Sequence, residues 1–167
     1  MTRNLYLGAD IFKIAKAAPE NIPAVVADVY NTMLYTNFWA RAEAIADEIM
    51  YADAEVIGLQ EVSTFYKQTP GDFLVGNSFK ADTLVIDFYK VLNDALEARG
   101  LYYTAYITTN SDVELPMLDI DAGPPYLSDV RMVDHDVILV KSNYDSQKFL
   151  LENYSVNPAY TISGYSH

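Results

Sequence analysis

The sequence contains no cysteine and only two histidines, His135 and His167, among its 167 residues. Without cysteine the chain can form neither disulfides nor thiolate metal sites, and two histidines leave a structural zinc site almost without ligands. Oxygen donors are plentiful by contrast, because Asp and Glu together number 23. A bound metal is therefore expected to be a hard cation, Mg²⁺ first, with Mn²⁺ or Ca²⁺ as alternatives.

Basic residues are also scarce, since 11 Lys and Arg against 23 acids give a formal net charge of -12. That balance argues against a broad electrostatic grip on a nucleic-acid backbone. It is compatible with a hydrolase of phosphate esters, because divalent cations can supply the local positive charge. Apolar runs of the roughly 18 residues that a membrane-spanning helix needs are missing as well, so no transmembrane segment is expected.

Hydrophobic residues make up 51% of the chain and charged residues 20%, which predicts one ordered globular core. Apolar spacing and turn residues then predict alternating strands and helices. The first half is expected to contain a strand over Met1–Leu7, a helical piece over Ile11–Ala17, a helix after Asn21, a helix capped by Thr36 or Asn37, and a strand over Val56–Leu59. The second half is expected to contain a loop over Ser63–Asn77, then a helix burying Leu84, Phe88, either Val91 or Leu92, and Leu96. A strand over Tyr102–Thr108, a loop over Asn110–Ser128, and strands at Val137–Val140 and Phe149–Tyr154 are expected to follow. This order predicts an α/β sheet with helices packed on one face.

Two polar side chains accompany the first two predicted strands. Asn4 lies in the opening run, and Glu61 follows the apolar run at Val56–Leu59. Ligand chemistry in α/β folds gathers where such strands end, and a carboxylate with a neighbouring amide could hold a hard cation and orient a phosphate. Taken alone, Glu61 could equally be a solvated strand end.

Together, Thr2-Arg3-Asn4-Leu5-Tyr6 and Leu59-Gln60-Glu61 resemble the two opening motifs of the endonuclease/exonuclease/phosphatase superfamily, the DNase I-like metal-dependent phosphoesterases. The segment from Asp129 to Leu139 is similar to an Asp-Val-Arg-x-x-Asp-x-Asp-Val-Ile-Leu pattern in a bacterial branch of that superfamily. The resemblance implies part of a four-layer α/β sandwich, mainly its first sheet with the flanking helices. It also implies a metal site at Glu61 and Asn4 and a phosphoester substrate, whether nucleic acid, phospholipid or inositol phosphate.

Two motifs of that superfamily's second half are not found in the sequence. Asp119-Ile120-Asp121 lacks the asparagine of its Asp-x-Asn pair, and Ser166 stands where an aspartate would precede the final histidine. Residues 1–167 are therefore expected to be one partial domain, the N-terminal half, with little hydrolysis of its own. Members of the branch are commonly exported. The resemblance therefore implies that the full-length protein is secreted or periplasmic. Oligomeric state is left open.

His135 stands between two acids, where it could contact phosphate or act as a general base. A solvent-facing histidine at a strand end is the alternative, and the more common one. Asp10 could support the metal or satisfy local backbone amides in its turn. Arg131 could bind a phosphate or pair with Asp129 or Asp134.

Two classes of function follow from these observations. The first is a divalent-metal-dependent phosphoester hydrolase, a nuclease, phosphodiesterase or phosphatase, in which Asn4, Glu61 and His135 are the candidate catalytic residues. The second is a non-catalytic interaction module that keeps the DNase I-like fold, and it is motivated by the missing Asp-His pair and the acidic composition.

Overall fold

The computed structural model describes residues 1–76 and 79–142. The predicted strand at Phe149–Tyr154 and His167 lie outside the described residues. The α-helices are Phe12–Ala15 (α1), Ile22–Tyr35 (α2), Phe38–Ala52 (α3) and Phe88–Glu97 (α4). The strands are Thr2–Asn4 (β1), Val56–Gln68 (β2), Thr83–Asp87 (β3), Tyr103–Leu118 (β4) and Leu127–Lys141 (β5).

The five strands form one mixed sheet in the order β1-β2-β5-β4, with β3 paired to the far part of β2. β1 runs parallel to β2, and every other pairing is antiparallel. The predicted α/β class is thereby confirmed for the described residues, as a five-stranded mixed sheet with four α-helices. Each helix in that part of the chain is too short or too polar to cross a bilayer.

α2 and α3 form where the apolar spacing predicts them. In α2, Val26, Val29 and Met33 recur at intervals of three and four and are buried. Asn21 does precede α2, but its side chain makes no capping hydrogen bond. Asn37 does cap α3, because its side chain accepts a hydrogen bond from the Ala40 amide at 3.3 Å.

Three aromatic rings join α3 and α4 to the sheet. Phe38 and Phe88 stack with ring centroids 3.8 Å apart and planes within 1° of parallel. Phe65 of β2 packs against Phe88 at 6.0 Å in a tilted arrangement. All three rings are buried, and Phe88 is completely so. This cluster therefore packs α3 and α4 against β2 in the sheet.

Three strands are much longer than the sequence predicts. β5 was predicted only over Val137–Val140 but runs over Leu127–Lys141. β2 continues through Gln68, so the loop predicted over Ser63–Asn77 is wrong in its first part. β4 extends to Leu118, where a loop from Asn110 was predicted. Both extensions pair with β5, which begins at Leu127 and supplies backbone partners along its length. Pairing between distant segments overrides the polar composition that suggested loops.

The predicted helix around Leu84 is also wrong at its start. Thr83–Asp87 is strand β3, and the Leu84 side chain is 54% exposed. α4 begins only at Phe88, after the Asp87 side chain accepts a hydrogen bond from the Lys90 amide at 3.0 Å. Gly100 lies beyond the end of α4 with φ +72°, a left-handed conformation that glycine adopts readily.

A buried carboxylate secures the loop between β2 and β3. Asp129 of β5 is 1% exposed, and its Oδ2 accepts hydrogen bonds from the amides of Asp72 at 2.6 Å and Phe73 at 2.9 Å. A Cβ on Gly71 would lie 2.5 Å from Asp129 Oδ1, so this approach requires glycine. Burial is the main effect on this carboxyl and raises the pKa of Asp129.

Arg131 pairs across the sheet with a partner that the sequence did not predict. Its Nε and Nη2 donate to Asp112 Oδ1 at 2.7 Å and Oδ2 at 2.9 Å, in place of the predicted Asp129 or Asp134. Lys80 Nζ also lies 2.9 Å from Asp112 Oδ2. Hydrogen bonding from Arg131 is the main cause that lowers the pKa of Asp112 from 3.8 to about 2.

This pair predicts a specific acid response. Because the folded-state pKa of Asp112 is below its ordinary value, its contribution to stability is present above about pH 4 and is lost as the pH falls to about 2. The difference in free energy of unfolding between the wild type and Asp112→Asn, measured in urea, is expected to shrink across that interval. A difference that stays constant from pH 5 to pH 2 would contradict the assignment.

Candidate functional site

The two opening motifs meet in the fold. β1 and β2 are parallel, and their register aligns Asn4 with Gln60, so Glu61 follows one residue later. Asn4 Nδ2 donates a hydrogen bond to Glu61 Oε1 at 2.8 Å across 57 residues of sequence. The sheet thus places side by side the amide and the carboxylate that the sequence singled out.

The sequence predicted that Glu61 lies at the end of a strand, but Glu61 lies inside β2. The register between β2 and β5 shifts between Leu59 and Val62, and Glu61 has φ +56° at this shift. A left-handed residue other than glycine costs on the order of 1–3 kcal/mol, and such bulges redirect side chains beside functional sites. The bulge turns the Glu61 carboxylate toward β1 and the segment that follows it.

Backbone amides hold both side chains in place. The Tyr6 amide donates to Asn4 Oδ1 at 2.7 Å, and the Leu7 amide donates to Glu61 Oε2 at 2.9 Å. Tyr6 itself has φ +56°, so the chain turns sharply directly after β1. Asn4 and Glu61 are therefore oriented by each other and by two consecutive amides.

The Glu61 carboxylate could coordinate a hard cation that keeps most of its water ligands. Each Glu61 oxygen accepts one hydrogen bond and keeps further lone-pair capacity. Among the described residues, no three His, Asp or Glu side chains converge as a metal-binding group. Mg²⁺ is commonly held by one or two carboxylates while it keeps several waters. Glu61 fits that kind of coordination and does not fit a closed cage of protein ligands.

His135 lies close to this pair in the sheet but is not joined to it. The register aligns His135 with Val62, the residue after Glu61. Its Nδ1 is 3.1 Å from Thr109 Oγ1 on β4, and within the described part of the chain its ring makes no hydrogen bond to Asn4 or Glu61. The phosphate or general-base role predicted for His135 therefore stays a prediction.

Two of the neighbouring acidic residues, Asp134 and Asp10, have local partners. Asp134 accepts hydrogen bonds from Ser63 Oγ at 3.0 Å and Asn110 Nδ2 at 3.2 Å, whereas Asp136 is exposed. Asp10 Oδ1 accepts from the Phe12 amide at 3.0 Å, which is the turn role that the sequence offered as one alternative. These contacts fix Asp134 between β2 and β4 and occupy Asp10 at the start of α1.

Arg41 is the site residue that the sequence reasoning missed. Its guanidinium donates to the carbonyl oxygens of Leu5 at 2.6 Å, Tyr6 at 2.9 Å and Thr36 at 3.2 Å. Burial lowers the pKa of Arg41. The sequence did contain a sign of this role, because Arg41 is the one basic residue of α3 and lies beside its apolar stripe. A cavity of about 260 Å³ adjoins it and is lined by Arg3, Asn4, Leu5, Tyr6, Arg41, Ala44 and Ile45.

Comparison of the chain with protein-family models, with curated proteins and with solved structures gives no significant match. The geometry of the Asn4–Glu61 pair and the motif resemblance in the sequence are the remaining indications of function.

Proposed function

We propose that the Asn4–Glu61 pair is the cation-binding edge of a divalent-metal-dependent phosphoester hydrolase, and that residues 1–167 are the N-terminal half of its DNase I-like sandwich. The observation that carries the proposal is the 2.8 Å contact between Asn4 Nδ2 and Glu61 Oε1, formed at a bulge with a left-handed glutamate. Strained backbone that aims a carboxylate at a neighbouring amide is a feature of functional sites.

The chemistry assigned to each side chain follows from its remaining capacity. A bound Mg²⁺, Mn²⁺ or Ca²⁺ would neutralise charge on the transferring phosphoryl group. Glu61 would hold the cation through the lone pairs that Asn4 and Leu7 leave unused. The Asn4 amide adds no charge, and it keeps Glu61 aimed at the site. A phosphoester of a nucleic acid, a phospholipid or an inositol phosphate remains the proposed substrate class.

Exposed apolar side chains on the sheet support the half-domain part of the proposal. Tyr106 and Ile138 are cross-strand partners on one face of the sheet, and they are 37% and 36% exposed. Apolar side chains on a sheet are ordinarily covered by another layer. The second sheet of a sandwich would supply that layer, together with the Asp-x-Asn and Asp-His motifs that are missing from this sequence.

The decisive test is cation binding at Glu61. Mn²⁺ is expected to broaden the NMR signals of the Asn4 side-chain amide and of the Tyr6 and Leu7 backbone amides. Glu61→Gln keeps the shape of the side chain and removes the charge, so the apparent affinity should fall about tenfold, equivalent to about 1.4 kcal/mol. Mg²⁺ in excess should reverse the broadening.

Glu55→Gln is the matched control, because Glu55 is exposed and directly precedes β2. It should leave the Mn²⁺ response unchanged. Equal responses from the wild type and Glu61→Gln would remove the metal assignment, and with it the hydrolase proposal.

One observation favours the second function. Both Glu61 oxygens already accept hydrogen bonds from within the chain, as a purely structural lock would require. In a non-catalytic interaction module with the same fold, Glu61→Gln would lower the free energy of unfolding and leave the Mn²⁺ response as it was. The two proposals thus predict opposite outcomes of the same titration.

A further inference from the structure

We propose that Arg41 is a positioning residue that sets the orientation of Asn4 and Glu61 by clamping the two peptide groups between Leu5 and Leu7. Arg41 makes these contacts whether or not a cation binds. Its consequence for cation binding rests on the proposed function.

Two consecutive peptide groups connect Arg41 to the pair. Arg41 Nη1 donates to the Leu5 carbonyl at 2.6 Å, and the amide of that same peptide group, Tyr6 N–H, donates to Asn4 Oδ1. Arg41 Nη1 also donates to the Tyr6 carbonyl at 2.9 Å, and the amide of that group, Leu7 N–H, donates to Glu61 Oε2. Because a peptide group is planar and rigid, fixing its oxygen fixes the direction of its N–H.

The placement of Arg41 is unfavourable for helix stability alone. It lies in the first turn of α3, where the helix dipole disfavours a positive charge. Burial also lowers the pKa of Arg41, because desolvation disfavours its charged form. The contacts that offset these effects are its bonds to the Leu5, Tyr6 and Thr36 carbonyls and its position over the Phe38 ring, 5.0 Å from the centroid.

A planar guanidinium suits this task better than an ammonium group. It donates to the turn through Nη1 and to the Thr36 carbonyl through Nε at 3.2 Å, so one rigid fork ties the segment after β1 to the end of α2. Lysine offers a single point charge on a flexible stem and cannot reproduce that fork. Arg41→Lys therefore keeps the charge and removes the geometry.

Amide hydrogen exchange measured without metal tests the proposal. In Arg41→Lys, exchange at the Tyr6 and Leu7 amides should accelerate about tenfold or more, because the hydrogen bonds that align them weaken. Amides in the pairing of β2 with β5 should keep their wild-type rates. Equal acceleration throughout the sheet would indicate general destabilisation and overturn the proposal, as would unchanged rates at Tyr6 and Leu7.

Arg99→Lys is the matched control. Arg99 donates to the Ala95 and Glu43 carbonyls and to Asp47, but it lies away from the pair. It should leave the Tyr6 and Leu7 amides unaffected. If Arg41→Lys does not fold, Arg41→Gln serves as the second variant, and the wild type gives a further readout: Arg41 Nη protons that exchange as fast as those of free arginine would contradict the clamp.

Mn²⁺ binding separates this proposal from the proposed function. If Arg41→Lys accelerates exchange and also weakens the Mn²⁺ response, both stand. If exchange accelerates while Glu61→Gln leaves the Mn²⁺ response intact, the clamp stands and the hydrolase proposal fails. If exchange is unchanged while Glu61→Gln abolishes the response, the cation site stands and the clamp fails.

Discussion

Replacing Phe88 by alanine is expected to lower the free energy of unfolding by about 3–5 kcal/mol. Phe88 is completely buried and contacts Phe38 face to face at 3.8 Å and Phe65 at 6.0 Å. Truncation removes apolar area and leaves a cavity between α3 and the sheet, where two fixed rings can collapse only partly. Urea unfolding followed by circular dichroism measures the change.

Phe12→Ala is the control for this substitution, because Phe12 lies on α1 with 68% of its surface exposed. Its effect should stay within about 0.5 kcal/mol. A loss below about 1 kcal/mol for Phe88→Ala would show that the stack between α3 and α4 is not a principal support of the fold.

Asp129→Ala is the second substitution with a large expected effect. The Asp129 carboxylate is the acceptor for the amides of Asp72 and Phe73, and it is almost entirely buried. Alanine would remove that acceptor from two backbone donors, which is expected to lower the free energy of unfolding by about 2–4 kcal/mol. Asp136→Ala, at an exposed position of the same strand, should change the unfolding free energy by less than about 0.5 kcal/mol.

Asp129→Asn should be much milder and should change the pH profile. Asparagine keeps an oxygen for the same two amides and carries no charge to bury. Since burial raises the pKa of Asp129 above 3.8, its protonated form adds stability that is complete below about pH 4 and is lost as the pH rises through the raised pKa. The stability of Asp129→Asn relative to the wild type should therefore increase over that rise. If the difference in free energy of unfolding between Asp129→Asn and the wild type did not change with pH, a raised pKa of Asp129 would be contradicted.

Local patterns predicted α2 and α3. The spacing of Val26, Val29 and Met33 gave α2, and the side chain of Asn37 marked the start of α3. These signals depend on residues within a few positions of one another, which a single sequence displays directly. Leu84 shows the limit of the same reasoning, since its four-residue spacing to Phe88 suggested a helix where cross-strand pairing with β2 makes a strand.

Distant pairing explains what the sequence could not supply. The polar end of β2 is a strand because β5 lies beside it, more than sixty residues later in the chain. The partner of Arg131 depends on the register between β4 and β5, which aligns Glu114 with Arg131 and brings Asp112 within reach. At the candidate site, the sequence singled out Asn4 and Glu61, but the bulge at Glu61 and the reach of Arg41 to Leu5 and Tyr6 depend on tertiary packing.

The central position of β5 has a consequence for how the protein is made. β2 and β4 do not touch as neighbours in the sheet, because β5 lies between them and is the last strand of the described chain to leave the ribosome. Until Leu127–Lys141 has emerged, both long strands have a bare edge during translation. Pairing of these two strands into one sheet therefore has to wait until β5 has been translated.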